Sequence, residues 1–334
     1  IVVLHSLHLD QFGPSMALAD LYRVDVPASY ATWVFLGFLL SFAIKTPLVP
    51  LHTWLPDAHV EAPTPGSVIL AGILLKVGIY GFIRLLIPIF PALALQWAGV
   101  IALLAVIGIL YGGLVAWVQT DIKKLVAYSS VSHLGFVVLG LFALNVTSVT
   151  GGLLQGVIHG INTGALFLIV GMVYQRSHDR EIESISGLAT QMPVLSTFLV
   201  IASFASIGMP GTNGFVGEFL ILTSSFQELP WLTVFATGGV IVAALYMLRL
   251  LRSCVFGEVS ETVRGLSRLN AREIFILLVL TVGMFWIGLY PSPTLERLEP
   301  SVESLLERTN AEQRLGNAES TDSTLDVTLR TESS

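Results

Sequence analysis

Long apolar runs constrain this chain more than any other feature of its sequence. The runs reach 18 residues or more, which is about the length that crosses a hydrocarbon core of roughly 30 Å as an α-helix. Only 12% of the 334 residues are charged, against roughly 25% in an average soluble domain. So few charges cannot cover the surface of a soluble protein, and the sequence therefore predicts an all-α integral membrane protein.

Apolar runs separated by polar residues predict a bundle of about eight transmembrane helices. The predicted spans lie near 30–46, 65–87, 95–118, 122–144, 150–174, 194–226, 231–250 and 272–290. Residues 1–29 are predicted to be an N-terminal remnant with a surface loop, and residues 30–290 the transmembrane domain. Residues 291–334 are predicted to be an amphipathic stretch followed by a disordered polar tail.

Two of the predicted spans are interrupted by helix-breaking residues. Pro47 and Pro50 follow the first span, and Pro210 with Gly211 lies inside the sixth. Proline removes a backbone donor, and broken helix at membrane depth is tolerated only where it is buried in protein or lines a wet cavity. Two such helices are typical of the inverted repeats of secondary transporters. For the first break, the alternative is that the prolines merely end a helix near the surface.

Basic residues predict how the chain crosses the membrane. The loops that follow the third, fifth and seventh spans, with the adjoining span ends, are rich in basic residues, whereas the loops at 88–94, 145–149 and 227–230 contain none. These three regions contain nine basic residues: Lys123, Lys124, Arg176, Arg180, Arg249, Arg252, Arg264, Arg268 and Arg272. The positive-inside rule places these loops on the cytoplasmic or matrix side and the C-terminal tail on the other.

Composition excludes several classes of function. The net charge of −6 comes mostly from the C-terminal tail, so nothing indicates a nucleic-acid partner. One cysteine, Cys254, excludes an internal disulfide and any cysteine-ligated cluster or zinc site within the chain. His52 and His59 match no standard zinc spacing and are predicted to serve capping and packing. We therefore predict no metal site.

Five ionisable residues are predicted to lie at or near membrane depth: Lys45, Lys76, His133, His159 and Glu218. Ionisable residues in spans are costly and usually mark ion or proton paths, and histidine suits a relay because it titrates near neutral pH. The alternatives are a permanent ion pair for Lys76, an interfacial anchor for Lys45, structural roles for the histidines and a half-helix cap for Glu218.

Four segments together resemble the antiporter-like membrane subunits of proton-pumping NADH:quinone oxidoreductase, respiratory complex I. They are KTPLVPLHTWLPDAH at 45–59 followed by Ala62-Pro63-Thr64, the segment around Lys76, QTDIKK at 119–124 with the segment around His133, and GMPGTNGFVGEF at 208–219. The resemblance covers roughly residues 30–290. It implies an antiporter-like fold with fourteen spans, of which the eight here look like the last eight.

The resemblance also implies roles for individual residues. Lys45 looks like the broken-helix lysine, Lys76 the central lysine, His133 and His159 the bridging residues, and Glu218 the outlet group. A glutamate at the second break, where sister subunits and antiporter subunits usually carry lysine, points to the chain M (subunit 4) type. The glutamate that would pair with Lys45 belongs to an earlier span, so the resemblance implies that the N-terminal helices are missing from this sequence.

These implications give a hypothesis for function. Protons enter from the cytoplasmic side at the first break, pass from Lys45 to Lys76, cross through His133, His159 and bound water, and leave near Glu218. The chain carries no redox centre: NADH, flavin, iron–sulfur clusters and quinone are expected in partner subunits. The expected partners are the other membrane subunits of the complex, especially the sister antiporter-like subunits, and the lipid bilayer. The expected location is a bacterial inner membrane, with an organellar inner membrane as the alternative.

Three other functions remain open at this point. A subunit of a multi-chain sodium/proton antiporter shares the fold. A haem-binding cytochrome b is suggested by the intramembrane histidines, but that fold needs paired histidines on the same helices. The third alternative is a purely structural membrane subunit.

Overall fold

The computed structural model describes residues 2–13, 17–24 and 26–309. The helices of this part of the chain are α1 (Val2–Phe12), α2 (Leu18–Leu21), α3 (Ala28–Lys45), α4 (Trp54–Glu61), α5 (Thr64–Ile89), α6 (Pro91–Val118), α7 (Ile122–Phe142), α8 (Val146–Ser177), α9 (Leu188–Gln191), α10 (Pro193–Ile207), α11 (Asn213–Glu228), α12 (Pro230–Cys254), α13 (Ala271–Leu289) and α14 (292–309). The predicted polar tail falls on residues 310–334, which lie outside the described residues.

The predicted spans are confirmed to within a few residues at most ends. Among the described residues, seven helices are long and apolar enough to cross a membrane: α3, α5, α6, α7, α8, α12 and α13. The eighth predicted span is the pair α10 and α11, separated by a short non-helical segment at 208–212. Neither half alone has the length of a span, so only the two together cross the bilayer.

The centre of the bundle is formed by α7 and α8. In an apolar 18-residue window of each helix, 94% of the window is buried in the protein for α7 and 78% for α8. The corresponding shares are 11% for α3 and 22% for α13. Glycines let α7 approach its neighbours closely: a side chain on Gly135 would come within 2.7 Å of the carbonyl oxygen of Ala105 on α6. Small residues allow such backbone contact between membrane helices. The two most enclosed helices are those that carry His133 and His159.

Helix α5 contains two π-helical segments that periodicity does not predict. Leu70–Leu74 and Phe82–Leu86 lie on either side of Lys76, and π segments inside α-helices are frequent at functional sites. In the same region the backbones of α5 and α8 touch, since a side chain on Gly160 would lie 2.9 Å from the carbonyl oxygen of Gly72. This contact brings Lys76 next to α8.

The first helix break lies between α3 and α4, at residues 46–53. Pro47 and Pro50 are in this segment, and the indole of Trp54 donates a hydrogen bond of 3.0 Å to the carbonyl of Ile44, a free acceptor at the end of α3. Thr46 packs against Gly78 of α5, where no side chain could be accommodated. The break therefore ends a span near the basic face but is packed against the helix that carries Lys76.

The second break interrupts a span within the bundle. Gly208 and Gly211 have φ of +81° and +91°, left-handed conformations that glycine adopts without strain, and Pro210 lies between them. The Thr212 hydroxyl donates a 2.6 Å hydrogen bond to the carbonyl of Met209. Gly288 of α13 lies directly against the break, because a Cβ at this position would come within 2.6 Å of the Gly211 carbonyl oxygen.

Helix α14 has one buried apolar face. Val302, Leu305 and Leu306 are buried and join the hydrophobic core, while most residues between them are exposed. The Arg308 guanidinium lies over the ring of Tyr22, 4.7 Å from its centroid. The division of the chain at residues 29 and 290 stays a prediction.

Replacing Gly288 with alanine is expected to destabilise the second break, because the new methyl group would collide with the backbone at 211–212. Overpacking of this kind costs about 1–3 kcal/mol. The matched control is Gly283→Ala in the same helix, where the nearest atoms would be side-chain carbons of Ile161 at 3.8–3.9 Å. Thermal unfolding of the detergent-solubilised protein should show a lower Tm for G288A than for G283A. Equal Tm values would show that the backbone at 211–212 moves to accommodate the methyl group without loss of stability.

Candidate functional site

Four of the five predicted ionisable residues form one row across the middle of the bundle. Lys76 is at the centre of α5, and its Nζ lies 2.6 Å from Nδ1 of His159 on α8. The ammonium also donates a hydrogen bond to the carbonyl of Ala71, in the first π segment. Because an ammonium can only donate, His159 accepts at Nδ1 and carries its proton on Nε2 when Lys76 is charged.

The second half of the row is a buried pair on α7 and α11. Nδ1 of His133 lies 3.0 Å from Oε1 of Glu218, and both side chains are 6% exposed. Gln155 of α8 donates to the same carboxylate oxygen at 3.2 Å, and the hydroxyl of Tyr246 on α12 lies 3.1 Å from Nε2 of His133. A carboxylate that accepts two hydrogen bonds is stable in a region without water.

A small internal cavity separates the two halves of the row. The ring centroids of His133 and His159 are 6.3 Å apart, and both residues line a cavity of about 10 Å³ together with Gln155 and Asn162. Nε2 of His159, Oε1 of Gln155 and Oδ1 of Asn162 are buried polar atoms without a protein partner. A cavity of this volume is about the space that one water molecule needs.

The order of the histidines differs from the order expected from the sequence. The sequence hypothesis passes from Lys76 to His133 and then to His159, whereas His159 contacts Lys76 and His133 contacts Glu218. Both imidazoles lie near the middle of their helices, so depth along the helix does not decide which is nearer to Lys76. The contact of α8 with α5 at Gly160 and Gly72 decides it.

Lys45 lies outside the row. It is the last residue of α3 and is partly exposed, and its ammonium is 6.0 Å from the ring centroid of Trp54. Within the described residues, no direct contact joins its side chain to Lys76. The two helices are linked instead by Thr46, which packs on Gly78.

An apolar groove of about 720 Å³ runs along α5, α8 and α13, and Lys76 lies on its floor. Gly156, Gly160 and Gly164 form much of the groove on the α8 side. Lys76 is partly exposed as a result, while His133 and His159 are 5% and 3% exposed. The imidazoles are therefore enclosed by protein, and only the lysine end of the row reaches a surface.

The histidines of the segment at 45–59 are buried but belong to the basic face. His59 is stacked on Phe167 with ring centroids 4.4 Å apart. Burial lowers the pKa of His59 to about 4, and the positive charge of Lys123 acts in the same direction, so the ring is neutral at pH 7. His52 packs edge-on against Tyr111. No cluster of three or more potential metal ligands is found in the part of the chain that the structure describes.

The sequence pattern of the family described as NADH:quinone oxidoreductase/Mrp antiporter, TM, matches residues 15–245. The chain belongs to this family. The match covers every span up to α12 and both helix breaks, and it confirms the resemblance drawn from the sequence segments.

Relatives within the NADH:quinone oxidoreductase/Mrp antiporter family are similar over most of the chain. NADH-quinone oxidoreductase subunit M of Rhodobacter capsulatus is 46% identical over 282 residues, 84% of this chain and 55% of that protein. NADH-ubiquinone oxidoreductase chain 4 of Marchantia polymorpha is 44% identical over 275 residues, 82% of this chain and 56% of that protein. The chain thus spans little more than half the length of these relatives.

Solved structures agree with this membership. A chain of respiratory complex I from Thermus thermophilus with bound NADH superposes with a TM-score of 0.86 at 36% identity, covering 92% of this chain and 65% of that one. A chain of the Mrp complex from Dietzia sp. DQ12-45-1b superposes with a TM-score of 0.81 at 21% identity, covering 93% and 66%, which shows the shared fold. With its apolar spans, this family member is a multi-pass protein of the inner membrane.

Two polar residues of this family member were missed in the sequence analysis. Tyr246 is fully buried and contacts His133, and Gln155 is buried and contacts Glu218. A glutamine in the middle of an apolar span is a signal that could have been used, because a buried amide needs partners. Tyr246 gave no such signal, since tyrosine near the end of a span is typical of the membrane interface.

Replacing Glu218 with leucine is expected to destabilise the protein more than replacing it with glutamine. Leucine leaves Nδ1 of His133 and Nε2 of Gln155 without an acceptor, and each unsatisfied buried donor costs about 1–3 kcal/mol. Glutamine keeps an acceptor oxygen. Thermal unfolding should give a lower Tm for Glu218→Leu than for Glu218→Gln.

The control for this comparison is Glu228→Leu at the exposed end of the same helix. Its carboxylate is solvated, and loss of the side chain should leave the Tm almost unchanged. A Tm for Glu218→Leu as high as that of this control would contradict the hydrogen-bonded arrangement described above.

Proposed function

We propose that the chain is a proton-translocating membrane subunit of NADH:quinone oxidoreductase, of the chain M type, driven by electron transfer elsewhere in the complex. One observation carries the proposal: Lys76, His159, His133 and Glu218 form a row of contacts through the middle of the bundle, interrupted only by a cavity of water size. Ionisable groups at membrane depth usually mark a proton path. The names of the relatives support the assignment to subunit M.

The first transfer runs from Lys76 to His159. Their 2.6 Å contact is short enough for direct transfer of the ammonium proton to Nδ1. The imidazole is already protonated at Nε2 when it accepts at Nδ1, so it then releases the Nε2 proton. This nitrogen has no protein partner and borders the cavity.

The second transfer crosses the cavity between the imidazoles. A bound water there would satisfy Nε2 of His159 and the amide oxygens of Gln155 and Asn162, and would bridge toward His133. Tyr246 supports this step because a hydroxyl can either donate or accept a hydrogen bond. It can therefore satisfy Nε2 of His133 in the neutral and in the protonated form of the ring.

The last transfer runs from His133 to Glu218, which releases the proton to the face opposite the basic loops. The second helix break lies directly beside this carboxylate, since a Cβ on Gly208 would come within 2.9 Å of Oε2 of Glu218. Protons enter at the first break, where Lys45 lies. Coupling is electrostatic: a charge change in a neighbouring subunit alters the pairing of Lys45, and the protonation of the row follows.

We place the redox chemistry in partner subunits, so that NADH, flavin, iron–sulfur clusters and quinone are bound elsewhere. The histidines do not fit a haem site. Both nitrogens of His133 are engaged, by Glu218 and Tyr246, and the space between the imidazoles is about 10 Å³, far too small for a porphyrin.

The second candidate is a subunit of a multi-chain sodium/proton antiporter. The Mrp chain of Dietzia shares the fold, but it is less similar in sequence than the NADH:quinone oxidoreductase relatives. The carboxylate of Glu218, where the resemblance implies lysine in antiporter subunits, also favours the oxidoreductase. Co-purification with iron–sulfur proteins would support the first candidate, and cation exchange without them would support the second.

Lys76→Ala is expected to reduce proton pumping at least tenfold while the complex still assembles, since it removes the first donor of the row. The measurement is NADH-driven acidification of inverted membrane vesicles, with assembly checked by native electrophoresis. Arg84→Ala is the matched control, because Arg84 is a cation on the same helix, two turns away and outside the row.

The same measurement tests whether both histidines are required. His159→Phe separates Lys76 from the cavity, and His133→Phe separates the cavity from Glu218, so both variants should lose pumping while Arg84→Ala retains it. Unchanged pumping in assembled Lys76→Ala or His159→Phe would refute the relay.

A further inference from the structure

The C-terminal turn of α4 is capped by side chains from three other parts of the chain. The ammonium of Lys123, on α7, donates a 2.9 Å hydrogen bond to the carbonyl of Ala62. The guanidinium of Arg180, after α8, donates to the carbonyl of Val60 at 3.3 Å, and the hydroxyl of Ser67, on α5, donates to the carbonyl of His59 at 3.1 Å. These carbonyls lack partners within the helix, and cations are favourable at a helix C-terminus.

The two cations are themselves held in place. Asp121 lies 3.4 Å from Nε of Arg180, and its carboxylate also accepts from the backbone N–H of Lys123 at 2.7 Å, which caps α7. The backbones of the two segments pair, with the N–H of Ile182 donating to the carbonyl of Thr120 at 2.8 Å. Lys123 is only 4% exposed, which is unusual for a lysine unless it is paired. The positive-inside rule explains why a basic residue lies at the start of α7, but it does not explain why Lys123 is buried.

The capped helix lies on the side of the row that faces the basic loops. His59 of α4 is buried and stacked on Phe167, which lies eight residues from His159 toward the basic face, or roughly 12 Å along α8. Neither ring nitrogen of His59 has a protein partner. The C-terminal turn of α4 is held by Lys123 and Arg180 on the basic face, and His59 contacts Phe167 inside the bundle, so this helix lies between the basic face and the buried row.

We propose that Lys123 and Arg180 are positioning residues that hold α4, and His59 on it, closed against Phe167 of α8, and that this closure keeps bulk water on the basic face from reaching the row. Each of the three caps comes from a span that carries a member of the row or from the loop that follows it: Ser67 with Lys76, Lys123 with His133, and Arg180 with His159. A movement of α4 would therefore pull on the spans that carry Lys76, His133 and His159. The inference rests on the proposed function, since it assigns a closing element to the same proton path.

Hydrogen–deuterium exchange of residues 54–62 tests the capping directly, in the protein in its native membrane. Lys123→Met and Arg180→Met should each make the amides of α4 exchange at least about tenfold faster, because a charge-assisted cap is lost and local opening becomes easier. Lys123→Arg should keep the slow exchange, since the guanidinium can still donate. Lys124→Met is the matched control: it removes the same charge one residue away, and the hydrogen bond to Ala62 of the α4 turn comes from Lys123.

Passive proton entry tests the closure and separates it from a purely structural role. Membrane vesicles without NADH are given a pH jump, and proton uptake is followed with a pH-sensitive dye. Lys123→Met should conduct protons several-fold faster than Lys124→Met, and adding His159→Phe should abolish the difference. If α4 exchanges faster but proton uptake stays at the control rate, the caps only stabilise the helix and the closure is refuted.

The two proposals fail in different ways. If Lys76→Ala pumps normally, the relay is wrong, whereas the exchange of α4 in Lys123→Met is measured without any pumping. If Lys123→Met does not accumulate in the membrane, Arg180→Met and Ser67→Ala carry the same two measurements. Slow exchange and unchanged uptake in both of these would overturn the inference.

Discussion

A hydrocarbon layer offers no water to polar groups, and this constraint explains most of the arrangement in this protein. Each ionisable group at membrane depth must find its partners inside the bundle. Lys76 finds His159 and the carbonyl of Ala71, and Glu218 finds His133 and Gln155. These groups come from α5, α7, α8 and α11, so the row can form only if the four helices pack side by side. The row of ionisable residues and the fold are therefore specified by the same contacts.

Glycine makes that packing possible at the places where backbone must approach backbone. Gly160 against Gly72 sets the distance between α8 and α5, and Gly288 lets α13 lie on the second break. The close approach at the break encloses non-helical backbone in protein, which is the condition under which broken helix persists at membrane depth. Gly217 has a similar role beside Glu218, since a side chain there would occupy the place of the Gln155 amide. The glycine contacts thus lie next to the ionisable residues, because both require the helices to approach closely.

The sequence predicted the spans well because each depends on a local property, the length of an apolar run. His133, His159 and Glu218, which the sequence places inside spans, are buried, whereas Lys45 and Lys76 are partly exposed and the burial of Lys123 was not foreseen. The sequence did not predict partners. Which histidine faces Lys76 depends on the contact between α5 and α8, and the contact of Tyr246 with His133 depends on the packing of α12. The π segments around Lys76 were missed because they change the helical register without changing the apolar character of the run.

Charge balance within the row suggests why its two ends differ in sign. With Lys76 protonated, Glu218 ionised and both imidazoles neutral, the row has no net charge. Moving one proton from Lys76 to Glu218 leaves both ends neutral, so the net charge is again zero. Desolvation penalises a net buried charge far more than a compensated pair, so neither end state carries the full penalty.

Loading a further proton would add a net positive charge, which requires a compensating change nearby. The segment around Lys45 and α4 contacts the helices that carry the row, because Thr46 packs on Gly78 of α5 and the caps of α4 come from α5, α7 and the loop after α8.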